Sequence, residues 1–586
     1  MVKGVAAAAA AAAALALGCA TGTGKPIVEF PSPERLASIE SKPAVLPPIQ
    51  AGEIPAEGWT VPSAPAAADP AADAWAPQGP WEEKFARAYG AMGSTTALTR
   101  GMACVAGELG RFYLAKQAPA PEPLQRWLTA ACGVFAPAVA YQTLQATLPA
   151  GVPDEKLLPL WEQQIGSSLV AHIPADARQV GFWFSRRGGH VVALVAYDST
   201  PVTLKPFSPV PDVNGDVVIE GRLEEGAAEH FAGYVNQGRF GVKECLVDPS
   251  VERPSFRVSC RMAPDDQTAW IQIVFAAPRS VLAQPIVQVL ARRDAEKPLV
   301  YQEAAYAPSR PVSDAASFAP AVLAALNATR VQAGLAPVRL AKAQSETAGR
   351  VARQYFAAAL GPSGMGDAAP GALDDMNTIA LGLLAGWQVA GTIRDGTFVS
   401  VLVPRTRDAG RWVDSALSLP IGREALMARE IEEVALGPAF FSDPDGIGAI
   451  ACGYRFHRSN DHTADVNRVL ERITAARQRM NLPPPVRLTG MDAVLHRELA
   501  RVQDGKGSPM NALQSSLEVA SERYNAPTQG IVIEATSLDA LEIPPEVFSQ
   551  ASLQLEVGVT HYKPPGAAWA QLVIIVVYVS PRGLSI

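Results

Sequence analysis

Apolar residues recur at two different spacings along this chain, and each spacing predicts a different element. In residues 319–329 they lie three or four positions apart, as on one face of a helix, and Gly334 is placed to end that helix. A second helical stripe runs through residues 348–355. A similar order returns in residues 462–582, where a helix, a Pro-rich turn and another helix precede two apolar strands.

Two further blocks complete the predicted globular part. Residues 81–200 begin with an apolar helical stripe and close with a hairpin over Gln179–Tyr197, which indicates either a fainter copy of the same order or an unrelated small α/β domain. Residues 201–295 contain short alternating runs separated by turns such as Asn214-Gly215, which predict a β-sandwich of immunoglobulin-like size. The predicted fold class is therefore α+β.

The N-terminus has the pattern of a secretory signal over residues 1–18. Lys3 supplies the positive charge, and Val5–Leu17 is an apolar run too short to span a bilayer. The run ends in Ala-Leu-Gly before Cys19, which resembles the bacterial lipobox and implies that Cys19 becomes an acylated N-terminus. Ala20, in place of Asp, implies sorting to the outer membrane. The alternative is an ordinary cleaved signal with a chance cysteine.

Residues 19–80 are rich in Pro and Ala, with acidic residues between them. Pro at this density disfavours both helix and sheet, so this range is predicted to be an extended spacer, with folded structure starting near Trp81. The strongest later candidate for a membrane helix, Ala567–Val579, is too short and too rich in β-branched residues.

Residues 318–457 resemble the bacterial form of the CAP superfamily (cysteine-rich secretory, antigen and pathogenesis-related proteins). That pattern comprises N-x-x-R-x-x-x-G-L-x-P-L, A-x-x-H-A, W-x-x-S-P-x-H-R and Y-x-E-I-G-V-G. The residues at matching positions are Asn327, Arg330, Gly334, Leu335, Pro337, Ala348, Ala352, Trp412, Ser415, Pro420, Arg423, Glu433 and Gly437. The resemblance implies an α-β-α sandwich around a small antiparallel sheet. Residues 462–582 are then a second CAP-like domain, and residues 81–200 are a third candidate.

The resemblance does not extend to the family's metal ligands. The two positions at which metal-binding CAP domains have His carry Val351 and Gly422, and no Glu or His lies between Glu346 and Glu424. A divalent ion needs several such ligands to converge. We therefore expect no metal bound through the family's four ligands, and no cofactor.

Charge and cysteine content narrow the function further. The 586 residues have a net charge of -7, which argues against nucleic acid as a partner. Of the six cysteines, Cys19 is assigned to lipid and Cys452, on an apolar strand, to a buried thiol. The other four are expected to form two disulfides in an oxidising compartment. The expected pairs are Cys104 with Cys132 and Cys245 with Cys260.

Together these features predict a non-enzymatic lipoprotein of the bacterial cell envelope that binds or scaffolds a protein, lipid or cell-wall partner. The candidate binding surfaces are a cleft containing Trp412, Ser415 and Arg423 and an exposed aromatic hairpin at Trp183. The alternative is a peptidoglycan or peptide hydrolase that uses a Cys104 thiolate with His190.

Overall fold

A computed structural model of the chain describes residues 31, 33–49, 58–61, 73–92, 96–147, 151–187, 189–224, 230–276, 283–303, 305–361, 371–385, 393–442, 445–456, 462–535, 538, 541, 543–563 and 570–579. The predicted signal peptide and Cys19 lie outside these residues. Two compact units form the chain: unit 1 includes residues 32–383 and 397–453, and unit 2 includes residues 454–586.

The described helices are α1 Pro33–Glu40, α2 Pro80–Ala91, α3 Arg100–Lys116, α4 Glu122–Ala131, α5 Asp154–Gln164, α6 Ala315–Gln332, α7 Lys342–Leu360, α8 Ala372–Ala385, α9 Ala409–Leu417, α10 Pro420–Met427, α11 Thr463–Arg479, α12 Asp492–Gln503, α13 Pro509–Tyr524 and α14 Pro545–Phe548. None of these described helices is long and apolar enough to cross a membrane.

The described strands are β1 Thr60–Val61, β2 Ala97–Leu98, β3 Ala140–Thr147, β4 Gln179–Arg187, β5 His190–Asp198, β6 Val202–Leu204, β7 Asp216–Leu223, β8 His230–Gln237, β9 Gly241–Glu244, β10 Leu246–Val247, β11 Ser255–Arg261, β12 Thr268–Ala276, β13 Ala283–Arg292, β14 Leu299–Val300, β15 Arg339–Leu340, β16 Ile393–Pro404, β17 Glu433–Ser442, β18 Asp445–Phe456, β19 Val486–Arg487, β20 Thr528–Ala535, β21 Gln554–Tyr562 and β22 Gln571–Val579. Helices and strands together confirm the expected α+β class.

Three four-stranded sheets share one topology. Their orders are β2-β4-β5-β3, β15-β17-β18-β16 and β19-β21-β22-β20, so each has a two-residue strand at one edge and the third strand of its module next to it. In all three sheets these two strands run parallel. We call the three modules the N-terminal module (residues 73–198), the middle module (residues 315–456) and the C-terminal module (residues 462–579).

A glycine on the third strand allows a helix to approach each sheet closely. A Cβ atom on Gly181 or Gly437 would lie 2.1 or 2.4 Å from the backbone of α3 or α7, and one on Gly558 would lie 2.6 Å from a Leu499 side chain of α12. At Gly181 and Gly437 a side chain would require a shift of the helix, and at Gly558 it would require at least the Leu499 side chain to move. The three modules therefore share one sheet topology and a glycine at the same strand position.

The β-sandwich expected in residues 201–295 is present within unit 1. Its two sheets have the orders β10-β11-β7-β6 and β13-β12-β8-β9. Their inner faces share one core, to which Ile219, Val258, Ile271 and Val287 each contribute. The outer face of the second sheet packs against both neighbouring modules, because Tyr234 belongs to the core of the middle module and Leu290 to the core of the N-terminal module.

The described parts of residues 19–80 differ from the extended spacer expected there. Residues 33–40 form helix α1, in which Pro33 occupies a first-turn position that tolerates the missing N–H. Farther on, Thr60–Val61 pairs with strand β14, and the carboxylate of Asp73 accepts a hydrogen bond from the first turn of α3. Ile39, Ile49 and Val61 are buried in this range, which outweighs the local tendency of Pro to extend the chain.

Candidate functional site

A cavity of about 860 Å³ lies within unit 1, where the N-terminal module, the sandwich and the middle module meet. Helix α4 forms one wall, and the sandwich strands β12 and β13 form another. The end of β16 and the helices α9 and α10 close the third side, and the linker of residues 298–306 runs between them. This volume is within the range of small-molecule sites, and such sites are common where domains meet.

Positive charge and aromatic rings dominate the lining. Seven Arg or Lys side chains face four Asp or Glu side chains, although the chain as a whole is acidic. The cations are Arg126, Arg239, Arg292, Lys297, Arg405, Arg411 and Arg423. The aromatic residues are Trp127, Trp270, Tyr301 and Tyr306. The ring centroids of Trp127 and Tyr301 are 5.6 Å apart with an edge-on geometry, so this part of the wall is rigid.

Two buried charged residues fix the linker that forms one side of the cavity. The Asp414 carboxylate accepts hydrogen bonds from the backbone N–H groups of Tyr306 and Ala307, at 2.7 and 2.8 Å. Burial raises the pKa of Asp414, and these two hydrogen bonds oppose that shift. Arg423 donates to the carbonyl oxygens of Gly238 and Gly241 and to the Tyr306 hydroxyl, at 2.9–3.1 Å. The wall is therefore held before any ligand arrives.

The three residues of the predicted cleft have different locations. Ser415 and Arg423 line the cavity, whereas Trp412 is fully buried behind it. The indole N–H of Trp412 donates to the carbonyl oxygen of Val401, and its ring packs edge-on against Phe318. Trp412 is therefore a core residue that supports α9, and no ligand can reach it without a rearrangement of that core.

The second predicted surface, around Trp183, is not an exposed hairpin. Trp183 lies on β4 with its ring over Gly107 and Gly110 of α3, and a Cβ atom on Gly110 would lie 2.1 Å from that ring. The side chain is thus half-buried between helix and sheet. The two glycines, spaced by one helical turn, provide the room for it.

In the middle module, the two positions that the CAP resemblance aligned with metal-binding His residues are closed. Val351 is fully buried, and a Cβ atom on Gly422 would lie 1.7 Å from the carbonyl oxygen of Ala416. No side chain of any kind fits at residue 422 in this packing. Among the described residues, no group of three or more His, Cys, Asp or Glu side chains is placed to hold a metal ion.

Both expected disulfides are present. Cys104 is bonded to Cys132 across α3 and the end of α4, with the Cα atoms 5.7 Å apart, and Cys245 is bonded to Cys260 with a Cα separation of 4.5 Å. Cys452 is a buried free thiol. The hydrolase alternative requires a Cys104 thiolate, and in this structure that sulfur is bonded to Cys132.

A second polar cluster lies in unit 2, where α11 begins beside β21. His462 Nδ1 is 3.0 Å from an Asp465 carboxylate oxygen, and His462 Nε2 is 3.2 Å from His561 Nδ1. His561 Nε2 is 3.3 Å from the amide nitrogen of Gln503. Because an amide nitrogen only donates, the chain of donors runs from Gln503 through His561 and His462 to Asp465, with both imidazoles neutral.

Burial lowers the pKa of His561, and the neighbouring His462 lowers it further, while Asp465 acts in the opposite direction. A proton added to His561 Nε2 would face the donor amide of Gln503. His561 therefore resists protonation, and the cluster provides a structural contact between α11 and β21. His496 of α12 is exposed and takes no part in it.

The sequence did not reveal the cavity lining. Arg126, Arg239 and Arg411 come from three blocks that are far apart in the chain, and none belongs to a recognisable motif. Only Ser415 and Arg423 had a local signal. The chain matches no protein-family model, and no curated protein is significantly similar to it.

Proposed function

We propose that the chain is a non-enzymatic, envelope-anchored lipoprotein with CAP-like modules, and that it binds a small anionic ligand in the cavity of unit 1. The observation that carries the proposal is the excess of Arg and Lys over Asp and Glu around a preformed cavity in an acidic protein. Arg side chains recognise carboxylate and phosphate groups by charge-assisted, often bidentate hydrogen bonds. Within the expected partner classes, a carboxylate-bearing fragment of the cell wall fits this chemistry best.

The aromatic residues support a ligand larger than a simple inorganic ion. Trp270 and Tyr306 are partly exposed on the cavity wall and offer flat apolar faces, while Arg239, Arg405 and Arg411 are exposed at the rim. Cavities with apolar or aromatic walls and a few charged groups bind organic ligands whose polar ends are fixed by those groups. An anionic sugar or short peptide combines the two features.

A binding role is also favoured over catalysis by what the wall contains. Among its described residues there is neither His nor Cys. Ser415 thus has no imidazole to activate it, and the nearby Asp414 carboxylate is occupied by two backbone N–H groups. The residues that are present can bind and orient an anion.

Isothermal titration of the purified full chain tests this proposal. A soluble muropeptide, which carries several carboxylates, should bind, whereas neutral chitobiose should not. Arg411→Gln should weaken muropeptide binding about tenfold, equivalent to about 1.4 kcal/mol, because one cation is removed from the rim. Arg339→Gln is the matched control, since both arginines are exposed and paired with a Glu, but Arg339 lies away from the cavity. Equal binding of chitobiose, or no effect of Arg411→Gln, would refute the proposal.

A further inference from the structure

The segment of residues 33–49, which we call the docked segment, is fastened along the middle module. Its apolar contacts come from Ile39, which is fully buried, and from Ile49, whose Cδ1 atom lies against Gly446 of β18. Helix α1 packs on α7. Two well-separated isoleucines buried on one module make this a folded attachment, because each contributes about 1.5–3 kcal/mol of hydrophobic stabilisation.

Polar contacts fix the position of the docked segment on α7 and α8. Arg35 forms an ion pair with Asp375 of α8 at 2.9 Å, and Lys42 contacts the same carboxylate. Glu40 pairs with Arg350 of α7 at 2.7 Å. In addition, the side chains of Gln354 and Arg353 donate to backbone carbonyl oxygens of the segment, at 3.0 and 3.2 Å. Contacts near both ends and in the middle of the docked segment fix a single position of the segment along α7 and α8.

This attachment changes how far the body of unit 1 can be from an anchor at Cys19. A free chain from Cys19 to Trp81 would reach about 200 Å when fully extended, at about 3.3–3.6 Å per residue. With residues 33–49 docked, only about 14 residues separate Cys19 from Pro33, and their extended length is about 50 Å. The residues between the docked segment and Trp81 then add nothing to the distance from the membrane.

We propose that the docked segment holds unit 1 close to the lipid surface, with the α7–α8 face of the middle module toward the bilayer. This inference rests on the proposed lipidation of Cys19. It assigns a partner, the bilayer, to a specific face of the module. The anchor then sets no such limit on the distance between the bilayer and the sandwich end of unit 1, which includes the fully exposed Val213.

Energy transfer to a lipid-linked dye tests the orientation. The full chain, purified with its native N-terminus, is reconstituted into vesicles of phosphatidylethanolamine and phosphatidylglycerol that contain the acceptor dye. Donor dyes are attached to Leu373→Cys on α8, which is exposed, or to Val213→Cys as the reference position. Transfer should be severalfold more efficient from residue 373. Equal transfer from the two positions would overturn the proposed orientation.

Paired insertions test the role of the attachment while leaving every described contact of the docked segment in place. About 40 Gly and Ser residues, with a root-mean-square span of about 35 Å, are inserted either after Thr23 or after Ala66. The insertion after Thr23 lengthens the anchor and should lower transfer from residue 373 severalfold. The insertion after Ala66 lies on the body side of the docked segment and should leave it unchanged. Identical effects of the two insertions would overturn the proposal.

Two further variants separate this inference from the proposed function. Ile39→Asp combined with Glu40→Lys should release the docked segment and lower the transfer, while Val45→Asp, at an exposed position of the same segment, should not. If lipidation itself is absent, the unmodified chain fails to sediment with membranes and Cys19→Ala makes no difference. If only the orientation is wrong, the chain sediments normally but transfer does not depend on the dye position or on Ile39.

Discussion

The middle and C-terminal modules have the same sheet order but different surroundings. Both contain a buried Arg in the last turn of their first helix and a glycine on the third strand. Between their second and third strands, the middle module inserts α9 and α10, whereas the C-terminal module has only the four-residue α14 among its described residues. α9 and α10 contribute Ser415 and Arg423 to the cavity.

The buried Arg shared by both modules stabilises the module itself, whereas α9 and α10, found in the middle module, contribute to the cavity. Arg330 donates to the carbonyl oxygen of Ala336, in the loop after its helix, and to those of Leu426 and Ala428, at the C-terminal end of α10 before β17. Arg477 donates in the same way to Pro483, Phe548 and Gln550, before β21. The shared Arg ties two loops to one helix end. Two residues of the cavity wall, in contrast, come from α9 and α10, which have no counterpart among the described residues of the C-terminal module.

The strongest test of the shared role is to remove each arginine in turn. Arg330→Ala and Arg477→Ala should each destabilise their own unit by about 4 kcal/mol, because buried carbonyl groups lose a charged donor. Urea unfolding, followed unit by unit through hydrogen exchange, measures the effect. Arg339→Ala, an exposed arginine of the middle module, is the control and should cost less than about 0.5 kcal/mol. Similar losses for Arg330→Ala and the control would contradict the shared role.

The elements of the repeat could be predicted from sequence because their signals are local. Apolar residues at helical spacing end at Gly334, and the structure has α6 over Ala315–Gln332 with Gly334 at a positive φ of 70°. Both disulfide pairs were also predictable from their positions on predicted elements. The helix end depends on chain neighbours, and each disulfide joins cysteines no more than 28 residues apart within one block of the sequence.

The cavity and the docked segment could not be predicted because they depend on contacts distant in sequence. Arg126 and Arg411 come together only when two modules pack on the sandwich. In the docked segment, Pro33, Pro43 and Pro47 suggested an extended chain, although Leu36 and Ile39, three positions apart, follow a Pro that can begin a helix. The segment is docked because Ile39 is buried and helix α1 packs against α7, which is distant in the sequence.

The close packing of α9 on α10 gives a second, smaller test that concerns the middle module alone. Gly422→Ala places a methyl group 1.7 Å from the Ala416 carbonyl oxygen, so α10 must move and Arg423 with it. We expect a loss of about 2–3 kcal/mol from unit 1, measured by thermal unfolding, together with weaker muropeptide binding. Gly349→Ala, on α7 with no atom closer than 3.9 Å, should be neutral or slightly stabilising. If both variants behave alike, the packing explanation fails.

The smallest expected effect is a dependence of the stability of the C-terminal module on pH, which arises from the pair His462 and His561. The pKa of His561 is lowered in the folded state, so the unfolded chain binds more protons as the pH falls through about 6.5. The contribution of His561 to the stability of unit 2 should therefore be fully present above that pH and be lost on acidification below it. Urea unfolding of the full chain, followed by hydrogen exchange within residues 462–579 at neutral and mildly acidic pH, measures this change.

Two histidine replacements in this unit check that measurement, one at His561 and one at the exposed His496 as the control. His561→Gln removes the group whose pKa is shifted, so the extra loss of stability at acidic pH should disappear, although the variant starts from a lower stability because His462 loses a hydrogen-bond partner. His496→Gln replaces an exposed histidine of α12 and should keep the pH dependence intact. If His496→Gln abolishes the dependence or His561→Gln leaves it unchanged, the buried pair is not what makes this copy of the repeat sensitive to acid.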